Sequence, residues 1–364
     1  MNKKLVALAV AGAFALPMAA QAQTANVTLY GRLNLDYEFV KAGGSGDAAT
    51  GSSTTVHRLS SNSSRFGLRG TESLGGGLSA IFQIESSVVG DASGGTIAGR
   101  ETFVGLQGSW GTFKMGRFLA PYDDIHPIFG NVPTLTTSIL STAALWAQGT
   151  LGQPENGGFD DRVRNSVRYD SPTVAGFNGS IQYGTYEDTR HAGVWSVGGF
   201  YNNGPIQAGV AYEKHKDIRF NNRDDDALSI AGGYNFGLFR IAGVYERLKY
   251  EQPTGDLKRD LWGVSGTVNL GPGQLYLSWE KALEGKGSAA DSERVGGLAH
   301  GNDTEADHFT ISYTYPLSKR TLTYAGYTHI NNKPRATYTF NINPYPVSQG
   351  GDPRGLVFGL VHFF

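Results

Sequence analysis

Residues 26–39 read NVTLYGRLNLDYEF. Val27, Leu29, Leu33, Leu35, Tyr37 and Phe39 fall on one parity, and Asn26, Thr28, Arg32, Asn34, Asp36 and Glu38 on the other. Successive side chains of a strand point to opposite faces, so this stretch divides an apolar surface from a charged one. It also outruns the ~5–6 residues usual for a strand in a soluble protein.

The same alternation recurs to the end of the chain. It predicts strands near 26–40, 57–70, 77–89, 98–108, 111–119, 161–171, 176–186, 192–202, 205–215, 225–236, 238–250, 258–270, 273–284, 305–316, 320–331 and 354–364. The connections alternate in length. Short turns sit at ESLGGG, GSWG, PTVAG, NNGP, NFG, NLGPG and PLSKR, and longer links lie around 41–56, 90–97, 119–160, 187–191, 216–224, 251–257, 285–304 and 332–353. An even strand count with short turns at one end and long loops at the other fits an all-β fold, a 16-stranded antiparallel transmembrane β-barrel. A soluble β-sandwich would have to hide the apolar faces in a core. A barrel turns them to lipid and closes every strand edge.

The N-terminus supports export. Lys3 and Lys4 precede an apolar run from Leu5 to Leu16, and Ala20-Gln21-Ala22 forms a small-residue cleavage site. This is the pattern of a secretory signal peptide over 1–22, leaving one barrel domain over 23–364 with no linker. The run is too short to cross a bilayer as a helix. The chain has no cysteine, so no disulfide staples it in an oxidising compartment. Losing Lys3 and Lys4 takes the net charge from −1 to about −3, which argues against a nucleic-acid partner.

The polar faces carry the chemistry. Arg65 and Arg69 share a face opposite Phe66 and Leu68, and Arg162, Arg164 and Arg168 share one with Ser166, opposite Val163, Val167 and Tyr169. Guanidinium groups stay charged, so such faces must meet water or counter-charges. The parity of Arg100 does not place it, since it matches that of Val104 and Leu106. Arg117 stands just before the longest link and is a candidate anchor for it. That link, about 119–160, holds Asp123, Asp124, Glu155 and Asp160, with Asp161 just beyond. Structureless loops above ~12–15 residues are usually functional or disordered. Folded inward, this one narrows the lumen and sets acids opposite the wall arginines, giving a transverse field that tunes ion selectivity. The other reading is a surface loop. SILSTAALWAQ at 138–148 is the one helix candidate, with Ser138 as its cap.

VTLYGRLNLDYEF, SSRFGLRGTESLGGGLSAIFQIES, RETFVGLQGSWGTFKMGR, RNSVRYDSPTVAGF and the Phe-terminated last strand resemble the general trimeric porins of the Gram-negative outer membrane, particularly the beta-proteobacterial type. The resemblance runs from Asn26 to Phe364. It implies a homotrimer in contact with outer-membrane lipid and lipopolysaccharide, no cofactor, and passive diffusion of ions and small hydrophilic solutes. It also implies that the third long loop is the constriction. Arg65, Arg69 and Arg100 match the family's constriction arginines, with Arg162, Arg164 or Arg168 matching more approximately. PENGG at 154–158 is similar to a constriction-loop motif, although it lies close to the next strand. Phe364 is similar to the terminal residue read by the barrel-insertion machinery, so the last strand is expected to close the ring against residues 26–40.

Catalysis has little support. No nucleophile elbow, Walker loop or Cys/His metal spacing occurs, and the eight histidines are scattered. NNRDDDA at 221–227 lacks the alternating ligands and Gly turn of a calcium loop. The reading is a non-enzymatic diffusion channel that leans toward anions. A substrate-specific channel and a non-conducting surface barrel or adhesin share the same architecture.

Overall fold

The computed structural model describes residues 26–43, 54–130, 138–146, 148–149, 154–160, 162–187 and 191–364. The expected signal peptide over 1–22 and Asp161 lie outside the described residues.

Sixteen wall strands run through the described residues. They are β1 (Asn26–Lys41), β2 (Val56–Ser61 continued by Arg65–Gly75), β3 (Leu78–Val88), β4 (Thr102–Gly108), β5 (Gly111–Leu119) and β6 (Arg162–Asp170). Next come β7 (Phe177–Thr185), β8 (Gly193–Asn203), β9 (Ile206–Lys216), β10 (Asp224–Asn235) and β11 (Phe239–Gln252). The wall ends with β12 (Gly255–Leu270), β13 (Gly273–Ala282), β14 (Ala306–Pro316), β15 (Thr321–Asn332) and β16 (Arg354–Phe363). Each pairs antiparallel with its sequence neighbours. β16 then pairs with β1, from Arg32 opposite Phe363 to Lys41 opposite Arg354. The ring is therefore closed, and every wall strand has two partners.

Alternation along each strand sorts the faces as the sequence predicts. On β1, Asn34, Asp36 and Glu38 are buried inside while Leu33 and Tyr37 are exposed. Val27, Trp262, Val264 and Phe358 are each more than half exposed on the outside. That inversion of the usual soluble pattern is what a lipid solvent requires. Aromatic pairs mark the belt, with Tyr183 beside Trp195 at 4.5 Å and Phe177 beside Tyr201 at 4.5 Å.

Some boundaries differ from expectation. The 57–70 strand is broken at 62–64, where Ser63 takes a positive φ of 54°. The 98–108 strand begins regular pairing only at Thr102, leaving Arg100 in an irregular segment. The link expected at 251–257 is a tight hairpin closing with Gln252 opposite Gly255. The helix expected from Ser138 is absent. A 3-10 turn spans Thr142–Ala144, with Ser141 accepting from the amide of Ala143. Helical turns occur instead at Asp123–Ile125 and His126–Phe129.

The largest buried apolar cluster lies inside the ring. Tyr122, Ile125, Phe129, Ile139, Leu140, Leu145, Trp146 and Phe159 of the third long loop pack on the inner wall. This explains the apolar inner face of β16. Val357 and Val361 are fully buried, and a Cβ at Gly355 would sit 2.5 Å from Ile139 Cδ1. A Cβ at Gly359 would sit 2.1 Å from the Tyr324 ring, so only glycine admits that ring.

Candidate functional site

The chain leaves the wall at Leu119 and returns at Arg162. Between them the third loop folds inward and is fastened mainly to β8–β13. Tyr122 donates through its hydroxyl to Glu246 at 2.5 Å and through its amide to Ser196 Oγ at 3.1 Å. Arg240 donates to the carbonyl of Ile128 at 2.5 Å, and Ser265 to that of Phe129 at 2.6 Å. Trp146 donates to Ser229 at 3.3 Å and stacks on Tyr122 with centroids 5.1 Å apart. Arg259, fully buried, binds both Glu246 and the carbonyl of Leu145. Buried backbone carbonyls of an inward loop need such donors.

The wall formed by β1–β6 carries the basic groups. Glu85 is its hub: Arg100 Nε lies 2.6 Å from one carboxylate oxygen, and Arg65 Nε lies 3.4 Å from the other. Tyr30 donates to the same carboxylate at 3.1 Å. Arg32 sits within charge interaction of Arg65 and Arg100, and Arg100 within that of Arg162. Arg69 faces the lumen with its guanidinium 5.0 Å from the Tyr30 ring centre. Glu101, which accepts from Gln83 at 3.4 Å, adds a second carboxylate near this cluster. Five guanidinium groups thus gather around Glu85 and Glu101, while Asp36 and Glu38 lie farther along β1, bound by Tyr324 and Arg58 respectively.

The remaining arginines separate from this group. Val163 is buried inside the ring, so Arg162, Arg164 and Arg168 do not share one face. The parity breaks at Asn165, which adopts a φ of 47°. Asparagine is among the few residues that take the left-handed region readily. Arg164 is half-exposed, pairs with Glu155 at 2.9 Å and lies 4.3 Å above the Tyr186 ring. Arg168 is buried and binds Asp124 at 2.6 Å, Asp170 at 2.7 Å and the carbonyl of Leu119 at 2.9 Å. Arg117, beside the β5 bulge, donates to the carbonyls of Gly99 at 2.7 Å and Arg162 at 3.3 Å.

The loop acids do not form an open row. Asp123 is buried against Asp160; burial, then that neighbouring carboxylate, pushes its carboxyl well above the usual range. Burial also raises Asp124, opposed by Arg168. Burial keeps His126 neutral to lower pH than usual. At the far end of the chain, Phe364 exchanges two 3.1 Å backbone hydrogen bonds with Gly31.

Sequence reasoning did not assign roles to Glu85, Arg240, Arg259 or Tyr122. The two arginines had a signal, for each sits on the inward parity of its strand. Glu85 had the same signal but no motif to mark it. Chemically, the lumen offers fixed charge and hydrogen-bonding walls. No cluster of three metal-ligating side chains occurs among the described residues.

Comparison with known proteins fits this geometry. Residues 7–335 match the Gram-negative porin family. Outer membrane porin protein 32 of Delftia acidovorans is 30% identical over the full length of both chains. The major outer membrane protein P.IB of Neisseria meningitidis is also 30% identical, covering 88% of this chain and 91% of its own. Among solved structures, the anion-selective porin from Comamonas acidovorans is 26% identical with a TM-score of 0.76, covering 93% of this chain and all of its own. The trimer form of OmpT from Vibrio cholerae shares the fold, with a TM-score of 0.66 at 14% identity over 93% and 99% of the two chains. The chain belongs to the Gram-negative porin family, and is an outer-membrane β-barrel channel rather than an enzyme.

Proposed function

We propose that this porin is a general diffusion channel for small hydrophilic solutes with a preference for anions. The observation that carries this reading is an imbalance across the lumen. Arg32, Arg65, Arg69, Arg100 and Arg162 gather around Glu85 and Glu101, while among the described loop residues Asp123 is buried, Asp124 pairs with Arg168 and Glu155 pairs with Arg164. Unbalanced fixed charge at a constriction enriches counter-ions there. The related Comamonas structure is titled anion-selective. In this reading Arg65, Arg69, Arg100 and Arg162 set the preference. Arg168 and Arg117 hold the ends of the loop, and Arg164 with Glu155 forms a nearly neutral pair.

The assembly is a homotrimer whose protomers meet through β1–β5. Two features of the outer wall support that choice. On β9–β14 its upper edge carries paired charges, including Lys214 with Asp224 and Arg247 with Asp260, each at 2.7 Å. Such a collar suits lipid headgroups and lipopolysaccharide. The outer face of β1–β5 presents Leu33, Tyr37, Leu59, Phe66, Val104 and Met115 instead, which suits a second copy. The mature chain begins after cleavage near Ala22.

Reversal potential in a planar bilayer under a salt gradient tests the preference. Anion-over-cation permeability is expected, and a clear cation preference rejects the reading. Single-channel steps that come in threes support the trimer.

A further inference from the structure

We propose that the periplasmic vestibule carries a weak binding track for neutral polyhydroxylated solutes, such as a small sugar or polyol, along Asn202, Gln207, Asn235, Asn269 and Gln274. These residues stand near the short-turn ends of β8, β9, β10, β12 and β13, below the inward loop. Two adjoining cavities lie there and share Gln207. One, of about 220 Å³, is lined by Gln207, Asn235, Asn269 and Gln274 under Pro127 and Gly130. The other, of about 390 Å³, is lined by Asn202, Gln207 and Phe200 under Ile128. Their combined space matches the ~300–1,000 Å³ of small-molecule sites.

The chemistry selects the ligand class. Each amide side chain offers two donor hydrogens and an acceptor oxygen, the same pairing a hydroxyl group presents. Internal bonds orient the amides without exhausting them. Gln274 donates to Asn269 at 3.1 Å, the amide of Gly237 donates to Asn235 Oδ1 at 2.9 Å, and Arg240 donates to Gln207 at 2.9 Å. Phe200 and Pro127 add apolar surface against which the C–H face of a sugar ring can lie.

Net charge is low here. Arg240 keeps its charge but has its guanidinium tied to the carbonyl of Ile128 and to Gln207, and beside the second cavity Arg168 and Lys114 are matched by Asp124 and Asp170. The arginine wall serves anions, so the lumen divides into a charged side and an amide side. A neutral solute would gain nothing from the first and several hydrogen bonds from the second. Rapid passage requires such binding to stay weak.

The test uses the purified, folded full-length protein in a planar bilayer, with sucrose added to each side in turn. A saturable fall in conductance is expected, with half-saturation at lower sucrose from the periplasmic side. The Asn202→Ala/Asn269→Ala/Gln274→Ala variant should raise the half-saturating concentration at least fivefold while leaving sugar-free conductance and reversal potential unchanged. If that variant does not fold, Gln274→Met alone should raise it at least twofold. A linear fall that polyethylene glycol of equal size reproduces, and that the variants leave unaltered, overturns the proposal. So does saturable block by a short neutral peptide without block by sucrose. Reversal potential reads the anion preference separately, so either idea can fail alone.

Discussion

Arg168 on the wall and Asp124 in the first turn of the inward loop meet at 2.6 Å, and Asp170 holds Nε of the same guanidinium at 2.7 Å. Two more arginines grip the loop at backbone carbonyls, Arg240 at Ile128 and Arg259 at Leu145. Arginine thus has two occupations in one barrel. Around Glu85 it leaves charge facing the lumen, and elsewhere on the wall it supplies donors that fasten the loop.

Arg168→Met should therefore loosen the loop more than it alters ion preference. It leaves Asp124 and Asp170 without their shared partner, at a cost of roughly 3 kcal/mol. Open-channel current noise should rise severalfold and the denaturation midpoint should fall. An unchanged noise spectrum would show that the ion pair does not hold the loop.

Selectivity should follow pairing rather than the mere presence of an arginine. Arg65→Ala removes a guanidinium from a group in which positive charge is in excess, and should shift reversal potential clearly toward cations. Arg164→Ala removes one half of the Glu155 pair, which is about half-exposed and close to neutral, so its shift should be less than half as large. Arg223→Ala, whose guanidinium donates to the Pro253 carbonyl at 3.3 Å in an exposed loop, should do least. Equal shifts from all three would contradict a localised field.

The barrel was legible because lipid enforces a simple code. Val27 to Phe39 could be sorted by parity alone, and the other wall strands repeat that sorting wherever the ladder is regular. Parity failed where the backbone leaves the ladder. Asn165 and the β5 bulge re-aim Arg162, Arg164 and Arg117, and Arg100 lies before regular pairing begins. The inner face of β16 also looked anomalous in sequence. Its valines and glycines make sense only once Ile139 and Tyr324 cover them, a contact between segments more than 30 residues apart. Loop packing of that kind leaves no periodic signature.

Arg259 gives a stability prediction. It and Glu246 are both fully buried, and Tyr122 donates to the same carboxylate. Arg259→Met removes the guanidinium partner of the fully buried Glu246 carboxylate and should cost ~3–5 kcal/mol. Adding Glu246→Gln removes the uncompensated charge and should recover more than half of that loss. Heat-induced loss of the folded band on a gel, measured for wild type and both variants, checks the order.

The loop should also respond to pH through Asp123. Its carboxyl is raised by burial and by Asp160. A carboxyl that binds its proton more tightly in the packed state stabilises that state fully below the ordinary aspartate range. That contribution is lost as pH climbs through the raised value. Loop noise should accordingly grow on the alkaline side and be least in acid. Asp123→Asn, which keeps the shape and cannot ionise, should flatten the profile. A rise in noise toward acid, or no change in the variant, would contradict this assignment.

Phe364 poses the sharpest test of how the ring closes. Its backbone exchanges two 3.1 Å hydrogen bonds with Gly31, and its ring sits where a Gly31 side chain would project, 2.4 Å from that Cβ position. Phe364 is therefore part of the seam between the first and last strands. Deleting Phe364 removes both bonds and leaves Gly31 as an open edge, which lipid tolerates poorly. Gly31→Ala attacks the same seam from the other side, since its methyl would also lie 2.7 Å from the Arg65 carbonyl. Both changes should reduce the yield of folded, heat-modifiable protein in refolding from denaturant by about tenfold or more. Removing the exposed Leu317 side chain at a turn by Leu317→Ala should leave the yield near wild type. Normal refolding of the Phe364 deletion would mean that the ring closes without its final residue, and that any defect seen only in cells comes from recognition by the insertion machinery.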